Sequence, residues 1–148
     1  MAQTNTEKQF QNFEVNIKIK LAALWASVTF CYLYGDYFEL YIPQKTASLV
    51  SGNHLLNSPE KLFFAAFLLA IPAIMVFLSV LLNPKMNRIL NLIIGSFFTL
   101  IMVLIGITSF ETWRAFYVFY AFLESIITIL IVWTALKWPL QSENTILK

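Results

Sequence analysis

The residues able to do chemistry in this chain are few, and they lie inside its most apolar segments. Asp36 and Glu39 sit among five aromatic rings in "YLYGDYFELY", residues 32–41. Glu124 is the one charge in "AFYVFYAFLESIITILIVWTAL", residues 115–136. An acid in such a setting needs partners, because hydrocarbon solvates it badly and insertion at a bilayer centre costs roughly 2.5–3.5 kcal/mol. Side chains three and four apart share one face of a helix. Trp25, Thr29, Tyr32, Asp36 and Glu39 then form one stripe, and Tyr117, Tyr120, Glu124 and Thr128 form another. If the stripes face each other, they enclose a polar, aromatic-walled pocket. Proton-linked transport or the binding of a small apolar or amphipathic ligand is the chemistry such a pocket would serve.

Depth follows from a rise of about 1.5 Å per helical residue. With spans centred near residues 31 and 125, Glu124 lies about 2 Å from the midplane, Asp36 about 7 Å outward and Glu39 about 11 Å outward. Arg114 begins the last apolar run and can reach inward with its long stem. Glu39 is its partner at the nearest depth, Asp36 is next, and Glu111 is the local alternative. The candidate ligand-binding set is therefore Tyr32, Asp36, Glu39, Arg114, Tyr117, Tyr120 and Glu124. The competing reading is structural: a lone glutamic acid bonded to tyrosine and threonine can act as interhelical glue.

Other chemistries are poorly served. One cysteine, Cys31, excludes an internal disulfide or a two-cysteine relay, and it reads as a small buried hydrophobe. One histidine, His54, excludes a bis-histidine haem or a His-based metal cluster and reads as a loop residue. No nucleophile elbow, phosphate-binding glycine loop or metal-ligand cluster occurs, so no catalytic or metal residue is assigned and an enzyme is disfavoured. No cofactor is implied. A net charge of +2 with no basic stripe gives no nucleic-acid footprint.

The elements that must position the acids are membrane helices. Hydrophobic residues make up 59% of the chain and charged ones 12%, about half the charged share of a soluble domain. Runs 62–82, 89–110 and 115–136 each match the roughly 20 residues that cross a bilayer, and 21–42 does so once Asp36 and Glu39 are included. They are apolar all round, which argues against a soluble bundle. The expectation is all-α: an antiparallel four-helix transmembrane bundle forming one domain over 1–148, with spans near 19–42, 60–82, 87–109 and 114–137. Residues 43–58 should hold a short surface helix between Pro43 and Gly52, and Ser58, Pro59 and Glu60 read as a helix start. Pro72 should kink the second span. Asn91, Gly95, Thr99 and Gly106 read as a packing seam on the third.

Seven basic residues fall on one side of such a bundle: Lys8, Lys18, Lys20, Lys85, Arg88, Lys137 and Lys148. Lys45, Lys61 and Arg114 fall on the other. The positive-inside rule places both termini in the cytoplasm. Trp25, Trp133 and Trp138 would anchor the inner interface, with Trp113, Tyr37 and Tyr41 at the outer one. No leading apolar segment suggests a cleaved signal.

"KIKLAALWASVTFCYLYGDYFELYIP", "LLNPKMNRILN" and "FYVFYAFLESIITILIVWTALKWP" resemble a family of small bacterial four-helix membrane proteins, a domain of unknown function, over about residues 14–139. "YGDYFELY" is the most specific piece. The resemblance implies a four-span fold in a bacterial inner membrane and implies no activity. A looser likeness, in size and span count, is to DoxX-like membrane proteins, some of which are subunits of quinone-linked oxidoreductases. Three readings follow: a small-ligand or proton-linked pocket, with a homo-oligomer expected because four helices are few for a carrier; a quinone-binding subunit; and a non-catalytic scaffold.

Overall fold

The computed structural model describes residues 13–139. Lys8 and Lys148, two of the basic residues used for orientation, lie outside them. Among the described residues the chain is all-helical. Its elements are α1 (Ile17–Glu39), α2 (Lys45–Val50), α3 (Pro59–Leu81), α4 (Pro84–Thr108) and α5 (Ala115–Leu136), with a single 3-10 turn at Thr112–Arg114 before α5. The four long helices are apolar enough to cross a membrane, and α2 is the short helix expected between the first two.

Local chemistry sets the helix ends. The Asn16 side chain accepts a hydrogen bond from the Lys18 amide at 2.9 Å and opens α1. Ser58 caps α3 with Pro59 behind it, and Glu60 lies in the first turn, where the helix dipole favours an acid. Asn83 and Pro84 repeat the device at α4, the asparagine accepting from the Met86 amide at 3.0 Å. The stretch "NPKMNR", most of it left between the spans expected at 60–82 and 87–109, is therefore the cap and first turn of α4. The signal for it was the same cap-then-proline pair that marks α3. Only Leu82 and Asn83 join the two helices.

The interior follows a near-heptad rhythm. The buried residues of α5 are Ala121, Glu124, Thr128, Ile131 and Ala135, in alternating steps of three and four. Those of α4 are Asn87, Asn91, Gly95, Phe98 and Met102. Leu21, Trp25, Val28, Met75, Phe98 and Ile131 form the core where the four helices meet. α1 packs between α3 and α5, and α4 packs closely on α5. Gly95 makes that last approach possible: a Cβ there would lie 3.0 Å from Val132 Cγ2 and 3.3 Å from Ile131 Cγ2. α3 and α4 touch only sparsely despite their tight connection.

Polarity runs inside out. Phe63, Phe64, Leu100 and Phe122 are among many large apolar side chains turned outward, while Ser79, Asn87, Asn91, Glu124 and Thr128 are buried. Water would punish that arrangement and lipid favours it, since lipid solvates apolar faces and leaves polar groups to find partners within the bundle. Trp25 belongs to this interior. It was expected as an interface anchor but is fully buried, with Nε1 donating to Asn91 Oδ1 at 2.7 Å. Trp133 is exposed, with the Lys137 ammonium 4.2 Å from its ring centre. Pro72 is buried inside α3, and the helix continues through it.

Candidate functional site

Two polar systems occupy the interior, one toward each end of the bundle. At the basic end the chain of bonds begins at Trp25 and passes to Asn91. The Asn91 amide donates to Asn87 Oδ1 at 2.6 Å and to the Asn87 carbonyl at 2.9 Å. The Asn87 amide donates in turn to the carbonyl of Ser79 on α3. Lys18 donates to the carbonyls of Val80 and Leu82, and Arg88 Nε donates to the Ala135 carbonyl at 3.2 Å. These cations meet carbonyls of the last turns of α3 and α5, where helix dipoles favour positive charge. Asn87 was not singled out from sequence. The signal was available as two asparagines four apart in an apolar helix.

The opposite end holds the acids. A cavity of about 150 Å³ lies between α1, α3, α4 and α5, in the region where α3 and α4 separate. Tyr32, Asp36, Tyr117, Tyr120 and Glu124 all line it. Cys31, Gly35, Leu68, Phe98 and Met102 complete its apolar wall together with neighbouring side chains. Gly35 leaves room in it, since a Cβ there would meet nothing nearer than the Tyr120 ring at 4.0 Å.

The acids are arranged by depth. Asp36 is exposed at the mouth. The Tyr117 hydroxyl faces both Asp36 Oδ1 at 3.1 Å and Glu39 Oε2 at 2.9 Å, so one phenolic proton serves two carboxyls. Glu39 lies outside the cavity wall and also accepts from Lys45 Nζ. Glu124 is two turns below Tyr117, about 10 Å along α5. It is 3% exposed and forms the floor. The two stripes therefore meet at the cavity. α1 runs from Ile17 to Glu39, which puts its centre near residue 28 and Asp36 in its last turn.

Arg114 takes the local partner, Glu111, of the three that the sequence offered. Its Nε lies 3.6 Å from Glu111 Oε2 on the surface, and it does not line the cavity. Lys45, at the start of α2, reaches Glu39 first. The cavity wall thus carries two carboxyls and no lysine, arginine or histidine.

The bonds expected of mere glue are not made at the floor. The Thr128 hydroxyl donates to the backbone carbonyls of Glu124 and Ser125, at 2.8 and 3.1 Å, and not to the carboxyl. Among the described residues, no donor lies within bonding distance of the Glu124 carboxyl. The buried Tyr32 hydroxyl likewise has no partner. Buried polar groups in folded proteins are nearly always paired, and the Tyr32 hydroxyl is an exception beside the cavity, as the Ser79 hydroxyl is at the basic end. No group of three or more metal-ligating side chains occurs among the described residues.

Comparison with known proteins adds a family and no activity. No curated protein and no solved structure matches the chain. The likeness to DoxX-like proteins rests on size and span count alone. A family model does match, over residues 8–145, which include all four long helices and every residue of the cavity: the chain belongs to the family of unknown function DUF6326.

Proposed function

We propose that the cavity is a ligand site within the membrane, serving a small molecule or a coupled proton. The observation that carries this reading is the cavity itself, which gathers Asp36, Glu124, Tyr32, Tyr117 and Tyr120 among apolar side chains. Tyr32, Asp36, Tyr117, Tyr120 and Glu124 line the site. Glu39 steadies its mouth through Tyr117. Arg114 stands beyond it.

The protein is read as one domain over residues 1–148, in a bacterial cytoplasmic membrane with both termini in the cytoplasm. Lys18, Lys20, Lys85, Arg88 and Lys137 cluster at one end of the described helices, against Lys45, Lys61 and Arg114 at the other. That bias supports the orientation. Assembly into a homo-oligomer is proposed on the ground that four helices are few for a carrier.

The test is mass spectrometry of the small molecules that stay with the protein in mild detergent. The wild-type chain is expected to retain a defined compound. The Asp36→Asn, Glu124→Gln double variant is expected to lose it while remaining folded. A folded double variant with the same retained molecules, and unchanged pH-dependent uptake in vesicles, would leave the scaffold reading in possession of the site.

A further inference from the structure

We infer that the ligand class of this cavity is a small organic cation: one ring's worth of apolar body carrying an ammonium group. The inference rests on the reading of the cavity as a ligand site and adds charge, size and route to it.

Charge comes from the wall. Asp36 stands at the mouth and Glu124 at the floor, and no basic side chain lines the space between. The two nearby cations are already engaged, Lys45 with Glu39 and Arg114 with Glu111. An anionic ligand would meet Asp36 at the mouth and another carboxyl, not a cation, at the floor. A neutral one could offer the acids a hydrogen bond but no opposite charge. An ammonium group offers both, because its N–H bonds can go to the Glu124 carboxyl. Phe98, Tyr117 and Tyr120 supply ring faces to the same space, and ring faces attract cations within about 6 Å.

Size comes from the volume. A cavity of about 150 Å³ lined by aliphatic and aromatic groups is what benzene fills in a lysozyme core. The ligand is therefore about one six-membered ring with a short charged arm. The route follows from α3 and α4. They touch sparsely, and Leu69 of α3 lines the cavity while remaining 40% exposed to the outside of the bundle. An amphipathic cation held in the lipid can enter beside Leu69, arm first toward Glu124.

The experiment uses the full chain in mild detergent and three probes of one shape: benzylammonium, benzyl alcohol and benzoate. Calorimetric titration is expected to show saturable binding of benzylammonium at one site per chain, at least tenfold tighter than benzyl alcohol, with no saturable benzoate binding. Glu124→Gln should reduce benzylammonium to the benzyl alcohol level, and Glu124→Asp should retain the preference. Gly35→Leu, which fills the cavity without touching an acid, should abolish saturable binding of both. Equal binding of benzyl alcohol or benzoate by the wild-type chain would overturn the cation assignment and leave the pocket standing. Absence of saturable binding by all three probes would overturn both. The wild-type ranking stands even if a variant fails to fold.

Discussion

The basic half of the bundle and the acidic half contain the same kind of material, polar side chains inside apolar helices, and treat it in opposite ways. At the basic half, Trp25, Asn91, Asn87 and a carbonyl of α3 close a chain of hydrogen bonds across three helices. The Ser79 hydroxyl is the one buried side-chain group there without a partner. In the acidic half the deepest carboxyl has none, and helices that are joined by two residues at one end have drawn apart at the other. A bilayer gives helices no hydrophobic reason to associate, so packing and internal hydrogen bonds must hold them. The first half uses its polar groups for that purpose. The second also ties α1 to α5, through Tyr117 with Asp36 and Glu39, but leaves the Glu124 carboxyl out of the network.

The contrast predicts how stability responds, and Asn91→Ala should give the largest effect. It removes bonds to Trp25 and Asn87 and leaves both residues with buried unpaired groups, a loss of about 2–3 kcal/mol. Glu124→Gln loses no bond, and its unfolding free energy should stay within about 0.5 kcal/mol of wild type. Reversible unfolding in mixed detergent measures both. Equal losses would erase the distinction between the halves.

A pair of glycines sharpens it at smaller scale. Gly95→Ala forces a methyl group against Val132 at 3.0 Å, and overpacking of this kind should cost about 1 kcal/mol even after the gain in helix propensity. Gly35→Ala meets open space, so propensity alone should act and stabilise by about 0.5 kcal/mol. Opposite signs are the expected result. Destabilisation by both would mean that the α1–α5 contact is as tight as the α4–α5 one.

Much of this was legible from residue types, and the part that was not has a common cause. Apolar runs near 20 residues long, two of them uncharged, announced the four helices, and Ser58 with Pro59 announced the start of α3. Helical spacing put Tyr32 with Asp36 on one stripe and Tyr117, Tyr120 and Glu124 on another, but not that the two stripes share one space, which comes from the packing of α1 on α5. What spacing could not supply was axial offset. Hydropathy averages over a window, so the ends of α1 blurred by a few residues, and each residue moves the depth by about 1.5 Å. That blur placed Trp25 at an interface rather than in the core. Partner choice was also hidden. Three cations flank the acidic end, and only tertiary structure decides which one reaches Glu39.

Arg114 provides the finest test of that choice. Its guanidinium lies on the surface, 3.6 Å from the exposed Glu111 carboxylate, three residues back in the chain. Exposed pairs of this geometry contribute roughly 0–0.5 kcal/mol because solvent screens them and two long side chains must be ordered. A double-mutant cycle between Arg114 and Glu111 should therefore give a coupling below about 0.5 kcal/mol, and a cycle between Arg114 and Glu39 a coupling near zero. The cycle between Lys45 and Glu39, both partly buried, should give the larger value of the three. A coupling above 1 kcal/mol or so between Arg114 and Glu39 would bring a guanidinium to the mouth of the cavity. The wall would then no longer be purely acidic, and its preference for a cation would weaken.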